Sequence, residues 1–262
     1  MSIMNAPVQA KIVRAISRRG KITFAEYTKE ALFAKRSVFC EGGYYTSGRV
    51  DIGPGGHFNT EPQRNAPHFG HGIAKQLYAM WQAIGKPETF HAVEMGAGIG
   101  NMARDILSYA SKNQSDFYKC LKYVIIEISQ PLIEAQKSMI NSAHWSHVKW
   151  VNASAIRHRF SLPVTGCFIS NELVDTFPFH KIVYENGRLR ERYVRLNGAV
   201  MSEVSGNLSS ERLEQALKDR FGEHPFKEGH VIYFSLRALE WLETLAYNLK
   251  RGYVITIDYG AE

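Results

Sequence analysis

The chain has 262 residues, 45% hydrophobic and 22% charged, with 21 Gly and 9 Pro, which fits one large domain or a core with an added lobe and excludes wholesale disorder. No window reaches the roughly 18 to 20 consecutive apolar residues of a membrane helix, so membrane insertion is not expected. The 32 Lys and Arg against 25 Asp and Glu give a formal net charge of +7, which brings anionic partners into consideration, while Cys40, Cys120 and Cys167 stand far apart, outside any metal-ligand spacing, and point to a reducing compartment.

Residues 1–9 lack the apolar stretch of a secretory signal, so a cytoplasmic, unprocessed chain is expected. Val8, Ile12, Val13 and Ile16 recur at helical spacing and Gly20 ends the segment, which predicts a first helix. Lys11, Arg14, Arg18, Arg19 and Lys21 form a basic run along it, read as a solvated face in preference to a nucleic-acid contact. Thr23 with Glu26 three residues on reads as a capping box that opens a second helix. Gly42 to Pro67 is Gly- and Pro-rich, carries Tyr44, Tyr45 and Phe58, and is long enough to be a functional loop. From Phe69 to Ile84 the apolar spacing is again helical.

After Gly85 the pattern changes to short apolar runs alternating with amphipathic stretches. Phe90–Met95, Tyr123–Ile128, Val148–Val151, Cys167–Ser170 and Tyr253–Ile257 read as buried strands, with helices over Asn101–Ser111 and Gln130–Ser142. This alternation predicts an α/β fold with a mainly parallel, Rossmann-like sheet. Between His180 and Tyr233 the rhythm breaks, and alternating residues around Asn186-Gly187 signal a β-hairpin. The expected organisation is residues 1–84 as N-terminal helices with a covering loop, and 85–262 as the core with a β-rich insertion at 181–233.

The strongest local motif is Glu94-Met95-Gly96-Ala97-Gly98-Ile99-Gly100, between the first strand of the core and its helix. Glycines there let a ligand approach the backbone beyond the carboxyl ends of the strands. Asn101 stands where a dinucleotide fingerprint needs its third Gly, and no Gly-Lys-Ser/Thr follows for a P-loop. Glu127 ends the next strand, where a carboxylate accepts two ribose hydroxyls in doubly wound nucleotide folds. An adenosine-containing ligand without a pyrophosphate fits both features, and S-adenosylmethionine is the commonest such cofactor. The histidines form no HExxH or comparable set, so no metal is expected.

The ordered set Gly43-Tyr44-Tyr45, Phe58-x-Thr60-x-Pro62, Phe69-Gly70, Glu94-x-Gly96-x-Gly98-x-Gly100, Glu127-Ile128-Ser129 with Leu132 and Gln136, Asn171-Glu172-Leu173-Val174-Asp175-x-Phe177-Pro178, and Ile257-Asp258-Tyr259-Gly260 resembles the MidA family. The resemblance implies a class I S-adenosylmethionine-dependent methyltransferase that methylates an arginine of a protein partner, a respiratory complex subunit in the family's mitochondrial member. It implies that Glu94, Gly96, Gly98 and Gly100 flank the methionine part of the cofactor, and that Glu127, with Ile128 beside it, holds the ribose. Thr60 and Pro62 would belong to a loop over the cofactor, and Asn171, Glu172 and Asp175 would face the transfer site. Carboxylates suit an arginine acceptor, since they pair with a planar cationic fork. Asp175 and Glu172 also admit plainer readings, as a turn cap and a polar strand end, and Asp258 and Tyr259 either face the substrate or simply pack.

Departures from the family pattern are His57 in place of an acid, Gln63 and Asn65 in place of Glu and Ser, and Ala97 and Ile99 in the glycine turn. The family also continues past the position of Glu262 with two further strands of the sheet. A shortened or degenerate member with an exposed sheet edge, stabilised as a homodimer, is the corresponding expectation. Two rival functions stay open: an RNA methyltransferase, from the positive charge, although nucleic acid is the less favoured partner; and a non-catalytic assembly or binding protein that keeps the fold.

Overall fold

The computed structural model describes residues 6–37, 40, 42–53, 55–57, 59–222 and 226–259. In chain order the elements are α1 (Ala6–Arg19), β1 (Lys21–Thr23), α2 (Phe24–Phe33), α3 (Glu61–Arg64), α4 (His68–Ala83), β2 (Phe90–Met95), α5 (Asn101–Asn113), α6 (Ser115–Cys120), β3 (Leu121–Glu127), α7 (Gln130–Met139) and β4 (Val148–Asn152). There follow β5 (Val164–Asn171), β6 (His180–Glu185), β7 (Arg188–Asn197), β8 (Val200–Gly206), α8 (Glu211–Phe221), β9 (Val231–Phe234), α9 (Leu236–Asn248) and β10 (Leu249–Ile257). The chain divides into two units, one of residues 48–175 with 240–262 and the other of residues 1–47 with 176–239.

The first of these holds a five-stranded sheet in the order β10-β5-β2-β3-β4, parallel at every pairing. Its central strands are apolar on both faces, as strands covered by helices on both sides must be. On one face Ala74, Leu77 and Trp81 of α4 and Met102, Ile106 and Leu107 of α5 pack on Phe90, Ala92, Tyr123, Ile125 and Ile169. From the C-terminal part of α9, Trp241 Nε1 reaches Met95 Sδ at 3.0 Å. Gly166 allows β5 to lie against β2, because a Cβ there would fall on the backbone of His91. The strand order reverses between β2 and β5: the chain steps from β2 outward to β3 and β4, then returns to β5 on the other side. That switch point opens a crevice at the carboxyl ends of the strands.

The other unit is built on an antiparallel sheet. β6 and β1 follow one another along one edge of the long β7, β8 takes its opposite edge, and β9 pairs β6. Asn186 and Gly187 have φ of +53° and +75°, the left-handed pair that a two-residue turn of this twist requires. Val8, Ile12 and Ile16 of α1 pack on Ile22 and Val194. Thr23 forms the expected capping box with Glu26. In the basic run, Arg19 pairs with Glu26 and Lys11 with Glu30, so part of that charge is held on the helical surface. No helix among the described residues is long and apolar enough to cross a membrane, and no group of three or more His, Cys, Asp or Glu among them is placed to hold a metal ion.

Candidate active site

The strand ends of the parallel sheet bring the expected residues to one crevice in two groups. At the ends of β2 and β3 stand Glu94, the glycine turn and Glu127. Gly96, Gly98 and Gly100 all have left-handed φ, of +71°, +55° and +92°, a region costly for any residue with a Cβ. The turn is tied down by Gly96 N donating to Ile126 O at 3.0 Å and Gly100 N to Ala97 O at 2.9 Å. Gly100 is the N-cap of α5 and supplies no side-chain cap, and no acid occupies the helix's first turn. A Cβ at Gly98 would meet Ile52 Cδ1 at 3.5 Å, so the loop before α3 lies over this turn.

Glu94 is buried and accepts a 2.6 Å bond from the Tyr123 hydroxyl. Burial pushes its carboxyl up to about 7, against the pull of the Tyr123 bond, and the nearby charge of Glu127 adds to the rise. Glu127 is also buried; its Oε1 accepts from Ser129 N at 2.9 Å and its Oε2 from Gln136 Nε2 at 3.3 Å. Burial likewise raises it to about 7. Beside it Ile128 is 41% exposed, an apolar side chain facing out next to a polar anchor.

The second group lies at the ends of β5 and β10. Glu172 is non-glycine yet has φ +47°, a strained conformation of the kind that accumulates at functional sites. Its N–H donates to Ile257 O at 2.8 Å, and its Oε1 accepts from Glu61 N at 3.3 Å, with Asn171 Nδ2 at 3.5 Å. Asn171 Oδ1 is buried without a hydrogen-bond partner. Asp258 Oδ2 accepts from Val174 N at 3.1 Å and Asp175 N at 3.3 Å, and Asp175 Oδ2 accepts from the Tyr259 hydroxyl at 2.6 Å. The short helix α3 carries Thr60 as its N-cap and buries Pro62, and its Glu61 makes the link to Glu172.

The family described as "Putative S-adenosyl-L-methionine-dependent methyltransferase" matches residues 72–262. The chain belongs to this methyltransferase family. Its sequence is 27% identical to the Protein arginine methyltransferase NDUFAF7 homolog, mitochondrial, of Drosophila melanogaster, over 96% of this chain and 60% of that protein. It is 30% identical to Protein arginine methyltransferase NDUFAF7, mitochondrial, of Bos taurus, over 67% of this chain and 42% of that protein. The chain thus spans about half the length of the curated relatives it matches. A crystal structure of a Burkholderia thailandensis superfamily member bound to S-adenosyl-homocysteine superposes with a TM-score of 0.79 at 24% identity, over 97% of this chain and 62% of that one, and shares its fold.

The eleven residues expected at the site divide between two groups at the strand ends of the parallel sheet and the α3 segment. Phe58 and Gly260, which carry part of the family resemblance, lie outside the described residues. Several neighbours carry little or no signal of a role in the sequence. Ile52 lies over Gly98, and Glu61 contacts Glu172 through its backbone, which no side-chain pattern signals. Tyr123 reads as an ordinary strand residue until its hydroxyl is seen on Glu94. Gln136 stood in the resembling motif without a role; a polar residue on the buried face of an amphipathic helix was its one available signal.

Proposed function

We propose that this chain is an S-adenosylmethionine-dependent methyltransferase acting on an arginine side chain of a protein, with a respiratory complex subunit as the partner class that the family resemblance names. The observation that carries this reading is the switch-point crevice itself, with a glycine turn and a buried carboxylate on one side and paired acids on the other.

The residues fit the cofactor. Glu127 is a fixed acceptor for a ribose diol, and Ile128 offers an apolar surface to an adenine next to it. The glycine turn leaves backbone exposed where a Cβ would stand, and the uncapped first turn of α5 offers N–H donors to an α-carboxylate. Ser129 Oγ and Gln136 Oε1, buried beside Glu127, have no protein partner, as expected where a ligand or ordered water completes the set. When bound, S-adenosylmethionine supplies an activated methyl group with a neutral thioether as its leaving group.

The chain's own residues then have to bind, orient and neutralise. A guanidinium is a planar cation with five donors; in this reading Glu172 and Asp175 accept from it, which localises the lone pair of the methyl-accepting nitrogen. Transfer releases one N–H proton from that nitrogen, and the same carboxylates are the nearest acceptors on this side of the crevice. Asn171 and Asp258 hold them in place through the bonds given above, and Glu61 fixes Glu172 from the side of α3.

The test is methyl transfer from isotopically labelled S-adenosylmethionine to arginine-containing polypeptides, with methylarginine identified by mass spectrometry. Labelled methylarginine that disappears in Glu172→Gln and Asp175→Asn, while both variants still bind S-adenosylhomocysteine, is the expected result. Label that appears on RNA, or cofactor uptake with no transfer to any polypeptide, would overturn the arginine reading.

A further inference from the structure

Gln136 lies on α7, fully buried, and one amide nitrogen serves both the glycine turn and the end of β3. Its Nε2 donates to the Gly98 carbonyl oxygen at 2.9 Å and to Glu127 Oε2 at 3.3 Å. Both partners are acceptors, which fixes the orientation of the amide. The turn closes on the same residue from the other side, since a Cβ at Gly100 would lie 3.2 Å from Gln136 Cα. One side chain therefore joins the glycine turn, the end of β3 and α7. Gln136 Oε1 and Ser129 Oγ, on the two residues that donate to Glu127, carry no hydrogen bond although these residues are 0% and 1% exposed.

We infer that Gln136 is a positioning residue for the nucleoside half of the cofactor, holding the Glu127 carboxylate in one geometry against the Gly98 carbonyl so that the carboxylate is presented to a vicinal diol. The inference rests on the S-adenosylmethionine reading above.

It has a consequence in pH. Burial pushes the Glu127 carboxyl up to about 7, and the bonds from Ser129 and Gln136 pull against that rise. The titratable group that interacts with it is Glu94 on β2, raised to about 7 by its own burial and itself bonded to Tyr123 of β3. From β4, Asn152 stands in register with Glu127, and from α7 comes Gln136, neither of which titrates. A diol donates to the ionised carboxylate, so uptake strengthens as pH rises through about 7. Without the Gln136 donor, that rise moves to higher pH.

The experiment is calorimetric titration of S-adenosylhomocysteine into the wild-type chain and Gln136→Met across about pH 5.5 to 9, with thermal unfolding run beside it. Gln136→Met is expected to fold, to bind about tenfold more weakly at neutral pH, and to show its gain in affinity displaced upward by roughly one pH unit, the size of one lost hydrogen bond to a charged group. A folded variant with the wild-type profile, or one weakened equally at every pH, would overturn the inference. Gln136→Glu is the second variant: it keeps the side-chain length and donates only when protonated, so it is expected to lose affinity over the range in which the wild type gains it. The wild-type trend in that variant would also overturn the inference. A wild-type chain that takes up no S-adenosylhomocysteine at any pH would overturn the functional reading, and this inference with it.

Discussion

The Tyr259 hydroxyl donates a 2.6 Å hydrogen bond to Asp175 Oδ2, joining the segment after β10 to the loop after β5. That bond, with the charges of Asp175, Asp258 and Glu172 around it, pushes the Tyr259 phenol up to about 12. It therefore stays a donor throughout the neutral range, and Asp175, one of the two acids of the proposed acceptor site, keeps a fixed direction. The backbone of the same loop is held by Asp258, through Val174 N and Asp175 N.

Tyr259→Phe removes this bond without touching the group formed by Glu94, the glycine turn and Glu127. Hydrogen bonds to charged groups contribute roughly 1.5 to 3 kcal/mol, less where solvent competes, and Tyr259 is exposed. Methyl transfer is expected to fall about tenfold, mainly through a higher KM for the acceptor. Affinity for S-adenosylhomocysteine should be unchanged. Steady-state kinetics paired with calorimetry read both quantities, and a loss of cofactor affinity would contradict the division of the crevice into two halves.

Glu94 and Glu127 make the ligand-free protein pH-sensitive. Their carboxyls lie at about 7 in the folded protein, above an ordinary value of 4.5, because burial disfavours the charge. The folded state therefore binds protons that the unfolded chain releases, and the stability they confer is whole below about pH 4.5 and is lost as pH rises through about 7. Tm is expected to fall between about pH 5 and pH 8. Glu127→Gln removes the charge that must be buried at high pH, which is worth on the order of 3 kcal/mol for one such group. The variant should unfold at a higher temperature than the wild type at pH 8 and differ little from it at pH 5, while binding S-adenosylhomocysteine less tightly. Thermal scans across that range decide it.

Two glycines separate site from scaffold. Gly98→Val places a branched side chain at φ +55°, with Ile52 directly above it. A left-handed conformation costs roughly 1 to 2 kcal/mol for such a residue, so the variant is expected to fold with a modestly lowered Tm and to lose S-adenosylhomocysteine binding. Gly166→Ala would instead drive a Cβ into the His91 backbone, between β5 and β2. There nothing can move aside, and a destabilisation above about 3 kcal/mol is expected, with failure to fold as its extreme. Circular dichroism melts and calorimetry distinguish the two outcomes.

The parts of this structure legible in the sequence are those set by local periodicity and local turn chemistry. The sequence pattern bounds Phe90–Met95 to the residue, because a buried strand ending on a glycine turn has both a composition and a stop signal. The capping box at Thr23 and the hairpin at Asn186-Gly187 follow from two or three adjacent residues in the same way. What was not legible depends on pairing over distance. β1 is three residues long and exists because β7, far along the chain, offers it an edge. The Tyr123 bond to Glu94 and the Gln136 bonds to Gly98 and Glu127 join positions that no spacing rule connects. At the candidate site the glycines and acids announced themselves by residue type, whereas the groups that hold them did so only once the strands were placed side by side.

Glu172 supplies the sharpest test of whether strain is kept for function. Its φ of +47° is unfavourable for a residue with a Cβ and free for glycine. Glu172→Gly would release that strain, worth roughly 1 to 2 kcal/mol, against the loss of the bond from Glu61 N and the greater freedom of glycine in the unfolded chain. The stability of the variant is expected to stay within about 1 kcal/mol of the wild type, and its affinity for S-adenosylhomocysteine should not change. Under the proposed function methyl transfer should be lost, because Glu172 is the carboxylate assigned there to the acceptor. A strained glutamate whose removal leaves the fold intact and abolishes transfer is held there for the reaction; full transfer by Glu172→Gly would return it to the role of a polar strand end.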